Sequence, residues 1–485
     1  MSADAKQANN AKWYINSAIV ILCFIVFRFL PTFGQITESG MAVLGVFVGM
    51  LYGWLTVGFI WPSILGLVFL GFTGISTINE ALTAGWGNIN AVIYVILGFM
   101  FAAYIESSGL ADGISSFFLT RKFLIGHPWY LIMIVFMCAW ALGALAGVFA
   151  GIFVSWAILY SMLERLGYEK RSRVSAYILA TAVFGAVAGL IFLPFHASAL
   201  LYVSFMTNAV GATIGFGPYM VYQFVMTVVL ALAWAGVGRF VLRLDLSAIA
   251  TAGDQFAYLR GVKYTFEQKF ALAMLLLTIG IMIAPEFLPD GSSIETLFKK
   301  LGIAGAFIIG MVIPAIVKNK EGKPLINLAE CTQKCSWDVI WLLVATMPVA
   351  SAMQSADTGI VSTIVAFVMS MIGNMNWIVF TVLCAVILGA LTQVTHNLII
   401  AVVLFGPLCQ VVVNLGGKPV IWFMVNYWMN MCAFVTPAAS ANSAIMHGNT
   451  EWIKAGDAYY MGTAYFVVNV ILTSLVAFTL GNVLF

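Results

Sequence analysis

The sequence predicts an all-α polytopic membrane protein with two inverted repeats, each containing a re-entrant helical hairpin and a broken transmembrane helix. Three observations predict this fold class. The 485 residues are 62% hydrophobic and 8% charged, whereas soluble proteins contain roughly 25% charged residues. Polar residues interrupt several long apolar segments, and the order of these segments repeats along the chain. The lipid bilayer is therefore the first expected partner, and the net charge of +3 is no sign of nucleic-acid binding.

The chain begins with a polar stretch that leads into a long apolar run at 14–33. This run is long enough to span a bilayer, which takes roughly 20 residues, and no cleavage site for a signal peptidase precedes it. We expect a retained N-terminal helix within 1–36. Further spans are predicted near 40–56, 57–73, 90–107, 217–240, 268–286, 302–317, 337–353 and 458–483.

A polar sequence interrupts the apolar C-terminal half at 391–397, which reads LTQVTHN. Its apolar flanks, 377–389 and 398–408, are each shorter than the roughly 20 residues of a spanning helix. Hydrocarbon offers no hydrogen-bond partners, so a polar break at this depth must face protein, water or a bound solute. We therefore predict a re-entrant hairpin over 376–410 with its tip at this polar sequence.

The same order of elements occurs earlier in the chain. Residues 92–110 resemble 339–360, and a short amphipathic stretch and a hairpin follow each of them. The first hairpin is predicted over 128–162. Because an odd number of crossings separates the halves, we expect them to have opposite orientations in the membrane. Inverted repeats of this kind occur in secondary transporters with a site at the bilayer midplane.

A long helix with a polar break follows each predicted hairpin. The first broken helix is predicted over 174–208, interrupted at 193–198 (LPFHAS). The second is predicted over 420–448, interrupted at 436–443 (TPAASANS).

The basic residues support a topology in which both hairpins return to the side from which they start. We expect the chain to lie in the inner (cytoplasmic) membrane with its N-terminus in the cytoplasm. In this topology most Lys and Arg residues lie on the cytoplasmic side. Only Lys299, Lys300 and Lys418 lie outside, and Arg28 lies near the end of the first span.

At two places the chain resembles the divalent anion/sodium symporters of the ion-transporter superfamily. These proteins carry a Ser-Asn-Thr signature at each hairpin tip, and 391–398 aligns with the second tip without a gap, with His396 for Ser, Asn397 retained and Leu398 for Thr. Residues 433–448 (AFVTPAASANSAIMHG) match the frame of the family's second broken helix. The first half departs, with Phe149-Ala150-Gly151 and 193–196 at the positions of the two motifs.

The resemblance implies an elevator-type homodimer, in which a scaffold holds a transport domain that moves across the membrane. The implied organisation is an N-terminal helix (1–36), scaffold (37–108), transport part (109–212), last helix and cytoplasmic loop of the first repeat (213–265), scaffold (266–356), transport part (357–456) and C-terminal helix (457–485). A small anionic substrate and sodium as a possible coupling ion are also implied, with no other cofactor.

The broken segments supply residues suited to an ion and an anion. Sodium prefers neutral oxygen ligands, and the cation-binding candidates are Thr392, Thr395, Asn397, Ser440 and Asn442. The helix N-terminus near Asn397 suits a carboxylate, since its N–H groups are free and carry partial positive charge. The substrate-binding candidates are Thr395, His396, Asn397, Ala150, Gly151, Pro194, His196, Ser440, Asn442 and Ser443. Each hydroxyl could equally satisfy a helix break or join helices.

Three of the four histidines, His196, His396 and His447, fall in the broken segments. An imidazole there could donate to substrate oxygens or carry a coupling proton, or it could simply bond to backbone. The three lack the spacing and the carboxylates of a metal site, so no metal beyond sodium is expected.

The expected function is secondary active transport of a small organic anion, most simply a di- or monocarboxylate, coupled to sodium. A proton-coupled transporter or an anion exchanger of the same fold is the alternative. A passive channel is a weaker one, because no carbonyl filter or charged ring is evident. An intramembrane enzyme is disfavoured, because no catalytic constellation accompanies the histidines.

Overall fold

The computed structural model describes residues 3–87, 92–110, 114, 124, 126–145, 147–194, 196–251, 264–289, 291–335, 337–393, 397–437 and 439–485. Within these ranges the regular structure is helical, apart from one isolated bridge between Lys318 and Pro324. Eight of the described helices are long and apolar enough to cross a bilayer. The protein is therefore a multi-pass α-helical membrane protein, as the composition predicts.

The helices of the first half are α1 (Ala3–Val26), α2 (Glu38–Thr56), α3 (Ile60–Leu70), α4 (Ile78–Trp86), α5 (Tyr94–Ser107), α6 (Pro128–Leu145), α7 (Val148–Arg165), α8 (Arg173–Phe192), α9 (Ala197–Val210), α10 (Phe216–Gly236, extended by a π-turn over Val237–Val241) and α11 (Ser247–Thr251).

The helices of the second half are α12 (Phe266–Ile283), α13 (Ser293–Ile316), α14 (Leu328–Gln333), α15 (Trp337–Gln354), α16 (Ile360–Ile372), α17 (Trp377–Thr392), α18 (Asn397–Ile400, continued by a π-turn over Ala401–Phe405), α19 (Gly406–Asn414), α20 (Pro419–Met431), α21 (Ala441–Gly448), α22 (Ala455–Val476, continued by a π-turn over Ala477–Gly481) and α23 (Asn482–Leu484).

One group of helices contains α1 to α4 and α15. Small residues let their backbones approach closely, as is usual inside membranes. A Cβ at Gly53 of α2 would lie 2.7 Å from Pro62 of α3, and one at Gly85 of α4 would overlap the Val344 carbonyl of α15. The short helices α4 and α14 were not predicted from the sequence, because each is too short to span a membrane.

The first hairpin consists of α6 and α7, and both legs pack against α8. A Cβ at Gly143 would overlap the Ala186 carbonyl oxygen, and one at Gly189 would overlap the Trp140 carbonyl oxygen. A Cβ at Gly151 would lie 3.0 Å from the Gly143 nitrogen, so the two legs run side by side. The glycines therefore serve close helix packing, and the hairpin predicted over 128–162 is confirmed.

The tip of the first hairpin lies slightly earlier than the sequence predicts. The chain reverses at Gly147, whose φ of 94° favours glycine, and not at 149–151. Ala150 and Gly151 fall in the first turn of α7, where Gly151 is buried between the legs and α8. The physical reason is that α7 can start only after the residue with positive φ.

The second hairpin consists of α17 and the helices α18 and α19. Its two ends meet, because a Cβ at Gly417 would lie 2.8 Å from the Trp377 ring. The chain thus returns to the side from which α17 starts, and the predicted hairpin over 376–410 is confirmed. The arm helix α16 precedes it at a bend of 109°. The matching arm helix of the first half, predicted near 111–122, lies almost wholly outside the described residues.

Both broken helices are present where the sequence predicts them. The first consists of α8 and α9, which are interrupted after Phe192. The second consists of α20 and α21, whose break starts at Cys432, four residues before the predicted break at 436–443. Ser440 caps α21, so Asn442 and Ser443 lie in its first turn.

The two hairpins start from opposite ends of α22. At the N-terminal end, Asp457 lies 3.6 Å from Arg173, and nearby Trp452 stacks on Tyr160 at the base of the first hairpin. At the C-terminal end, Phe478 contacts Trp377 at the base of the second hairpin. The segment Ala455–Leu484 is long and apolar enough to cross a membrane. The two hairpins therefore enter the membrane from opposite faces, as the inverted repeat requires.

Candidate functional site

The side chain of Gln393 binds the tip of the second hairpin to the break of the second broken helix. Its Nε2 donates to the carbonyls of Gly389 (2.7 Å) and Cys432 (2.9 Å). Its Oε1 accepts from the backbone N–H groups of Phe434 (3.0 Å) and Val435 (2.9 Å). Buried backbone groups need such partners, so Gln393 stabilises two interrupted backbones at once.

Hydroxyl groups close the remainder of this break. Ser440 Oγ donates to the Ala433 carbonyl at 2.8 Å, and Ser443 Oγ donates to the Thr436 carbonyl at 2.6 Å. Thr436 itself donates to the Gln393 carbonyl. Ser440 also accepts from the N–H of Ser443, as an N-cap does. The hydroxyl protons of Ser440, Ser443 and Thr436 are thus all used in hydrogen bonds to backbone carbonyls, while lone pairs on the hydroxyl oxygens are available for a cation.

Thr392 is fully buried in the last turn of α17 and donates to the Gly389 carbonyl at 2.8 Å. It also accepts from Gln393 Nε2 at 3.1 Å. Its contacts are those of a residue that closes the end of a helix.

Asn442 differs from these residues. Its Oδ1 is buried and has no hydrogen-bond partner among the described residues. A buried carbonyl oxygen without a donor is destabilising unless something satisfies it. A bound cation would do so, since neutral amide oxygens suit sodium. The residues of this break therefore fit the ion that the sequence predicts.

Asn430, in the last turn of α20, needs a hydrogen-bond acceptor, whereas Asn442 needs a donor or a cation. Its Oδ1 accepts from the Tyr202 hydroxyl, and its Nδ2 is buried without an acceptor among the described residues. The Tyr202 hydroxyl also lies 3.4 Å from the Asn397 carbonyl at the start of α18. Asn397 Nδ2 lies 3.6 Å from Met431 Sδ. Neither Asn430 nor Tyr202 was predicted as a site residue, because neither lies in a sequence motif.

The tip of the first hairpin is bound to its own broken helix by His196. Its Nε2 donates to the Ala144 carbonyl at 3.1 Å, and His196 is the N-cap residue of α9. Pro194 is buried in the same break. Next to them lies a cavity of about 250 Å³ between this tip and helices α5, α12 and α13. His447, in contrast, donates to the Phe434 carbonyl at 3.3 Å and serves the second break.

The predicted site residues thus form two groups. Thr392, Asn397, Ser440, Asn442 and Ser443 converge at the second tip and break, while Ala150, Gly151, Pro194 and His196 surround the first. Helix α9 connects the groups, because Ser198 contacts the Tyr427 hydroxyl at 3.2 Å and Tyr202 reaches Asn397. Thr395 and His396 lie outside the described residues. No group of metal-binding side chains occurs in the part of the chain that the structure describes.

Solved structures with the same architecture are transporters. The YdaH transporter of Alcanivorax borkumensis matches with a TM-score of 0.58 and 14% identity, over 83% of this chain and 88% of its own. MtrF of Neisseria gonorrhoeae, described as illuminating a class of antimetabolite efflux pumps, matches with a TM-score of 0.57 and 15% identity, over 96% of this chain and 93% of its own. At these identities the likeness establishes the fold alone.

The sequence itself carries a broader signature. No curated protein matches it significantly, but the profile of the CitMHS family, the citrate transporters, matches residues 43–425. The protein is therefore a membrane transporter for small anions and not an enzyme, whereas the narrower resemblance to the divalent anion/sodium symporters remains a prediction. Because the match extends over most of its length, the chain belongs to the CitMHS citrate transporter family of the ion-transporter superfamily.

Proposed function

We propose that the protein is a secondary active transporter that moves a small organic carboxylate across the cytoplasmic membrane together with sodium ions. The observation that carries this proposal is the pair of unsatisfied amide atoms around the second break. Among the described residues, Asn442 Oδ1 finds no donor and Asn430 Nδ2 finds no acceptor, so the first needs a donor or a cation and the second an acceptor. A sodium ion and a carboxylate meet these two demands together.

Neutral ligands suit this function for a further reason. Residues 377–414 and 419–448 contain no charged residue. A carboxylate held there needs a compensating positive charge, since an unpaired buried ion is costly. A sodium ion that binds with the substrate supplies this charge and leaves with it. Binding of one then favours binding of the other, which is what coupled transport requires.

The test is uptake of carbon-labelled citrate and succinate into proteoliposomes with and without an inward sodium gradient. Asn442→Ala should raise the sodium concentration for half-maximal uptake at least about tenfold, because it removes a cation ligand. Asn430→Leu should weaken binding of the carboxylate and leave the sodium dependence of the remaining uptake near that of the wild type. Asn397→Ala should abolish uptake in folded protein.

Asn374→Ala, at an exposed position before α17, is the matched control and should behave as wild type. Wild-type uptake in both Asn442→Ala and Asn397→Ala would refute the site. Uptake that follows a proton gradient and ignores sodium would instead favour the proton-coupled alternative, in which a histidine carries the proton.

We further propose that transport follows an elevator mechanism in a homodimer. A polar cavity of about 470 Å³ separates α4 and α15 from α9. Two groups of helices are therefore loosely packed against each other there: α1 to α4 with α15, and the helices of the hairpins and broken helices, to which α9 belongs. Ser204 of α9 lies 3.6 Å from Met347 of α15. Joining cysteines at these two positions with a short thiol cross-linker should stop uptake reversibly. Undiminished uptake in fully cross-linked protein would exclude relative movement of the two groups.

A further inference from the structure

The cavity beside the first hairpin tip has a lining that the proposed site does not explain. It measures about 250 Å³, and among the described residues that line it His196 is the one polar side chain. The remaining described walls are glycine and apolar side chains from the tip, from α5 and from α12 and α13, with Phe99, Leu275 and Phe307 among them. No Lys or Arg occurs among these described lining residues.

Such a cavity is unsuited to a second or third carboxylate. Moving an ionised carboxylate into apolar surroundings without a partner is strongly unfavourable. An apolar group gains free energy in the same place, in proportion to the surface that it removes from water. The chemistry of the walls therefore selects a hydrocarbon or aromatic group.

The cavity is also placed to receive part of a ligand held at the second break. His196 lines the cavity at the start of α9, and Tyr202 on the same helix contacts the Asn397 carbonyl and Asn430. They are six positions apart in the chain, which corresponds to roughly 9 Å along a helix that rises about 1.5 Å per residue. One elongated molecule of small size can cover this distance.

We propose that the transported anion is amphipathic, with its carboxylate at the second break and an apolar body in the cavity beside the first tip. This rests on the proposed function and specifies its substrate class. The first half of the site lacks the polar motif of the second because it binds the apolar end of the substrate. Specificity then comes from α5, α12 and the first tip, and coupling comes from the second.

The experiment compares ligands that carry the same two carboxylates. Succinate and phenylsuccinate differ by one phenyl group, and both are ionised near neutral pH, which limits passive entry into vesicles. In purified protein with sodium, phenylsuccinate should bind at least about tenfold more tightly than succinate, measured by thermal shift and calorimetry. Citrate should bind no more tightly than succinate.

Two adjacent leucines provide a matched pair of variants. Leu275 lines the cavity and is 3% exposed, whereas Leu276 is 60% exposed on the same helix. Leu275→Trp should fill the cavity and reduce the preference for phenylsuccinate over succinate to within about twofold, while Leu276→Trp should retain the preference. If Leu275→Trp does not accumulate as folded protein, Ala102→Leu fills the same cavity with a smaller change.

Equal binding of the two ligands to the wild type, or an unchanged preference in a folded cavity-filling variant, would overturn the inference. Sodium-coupled uptake of succinate or citrate would still stand in that case. If no carboxylate binds or is taken up, the proposed function and this inference fail together.

Discussion

At the scale of single residues, the polar atoms of the second break divide into those that the fold uses and those that it leaves unsatisfied. Gln393 uses its whole amide to hold the second tip against the break, and Ser440 and Ser443 use their protons in the same way. Asn442 Oδ1 and Asn430 Nδ2 have no hydrogen-bond partner in the part of the chain that the structure describes. This division separates residues that build the site from residues that bind in it.

Gln393 should therefore be a structural residue whose loss also ends transport. Gln393→Leu leaves the Cys432 carbonyl and the N–H groups of Phe434 and Val435 without their partner, and each such buried group costs about 1–3 kcal/mol. We expect the melting temperature in detergent to fall by about 5 °C or more. Gln410→Leu, on α19 of the same hairpin, should change it by less than about 2 °C. Equal melting of both variants would contradict this role.

The sequence identified Asn397, Ser440, Asn442 and Ser443 because they lie in breaks of apolar segments, where every polar group needs a partner. It favoured the two asparagines over the hydroxyls, but it could not tell which polar atoms the fold itself would use. Whether a hydroxyl or an amide bonds to its own backbone or is left for a ligand depends on the conformation of the break. Asn430 and Tyr202 were missed for a related reason. They lie on helices, where a single polar residue gives no signal until the neighbouring helix is known.

At the scale of elements, glycine decides how closely the first hairpin approaches α8. Gly143, Gly185 and Gly189 each place their Cα against a carbonyl of the facing helix, where a Cβ has no room. The position of the tip was predicted less well than the hairpin itself, since the positive φ that makes Gly147 the turning point follows from the geometry of the hairpin and not from its composition.

Gly189→Ala should disrupt the first hairpin, because the added methyl group would overlap the Trp140 carbonyl oxygen and approach the Ala144 nitrogen. Forcing extra volume into a packed helix contact costs roughly 1–3 kcal/mol or more. Gly236→Ala is the control, since a Cβ there meets no atom within 4 Å. Gly236 is the last residue of α10, and where a helix has room for the methyl group this change is neutral or stabilising by up to about 1 kcal/mol. A melting temperature for Gly189→Ala at or above that of Gly236→Ala would refute the packing argument.

At the scale of the whole molecule, the order of hairpins and broken helices could be predicted in full. Each of these elements is an interruption of an apolar segment, and the bilayer allows few structures for such interruptions. The packing of α5, α12 and α13 around the apolar cavity could not be predicted, because contacts between distant apolar helices leave no periodic trace in one sequence. The inverted arrangement then brings two unlike halves, one polar and one apolar, to the same helix α9.

The most direct test of this architecture is labelling of single cysteines, in an otherwise cysteine-free protein, with a maleimide that does not cross membranes. Asn374 and Lys418 flank the second hairpin, and Glu169 follows the first; all three are exposed. We expect Asn374→Cys and Lys418→Cys to be labelled from one side of the membrane and Glu169→Cys only from the other. Labelling of Asn374→Cys and Lys418→Cys from opposite sides would show that 376–410 crosses the bilayer, and would rule out the re-entrant hairpin.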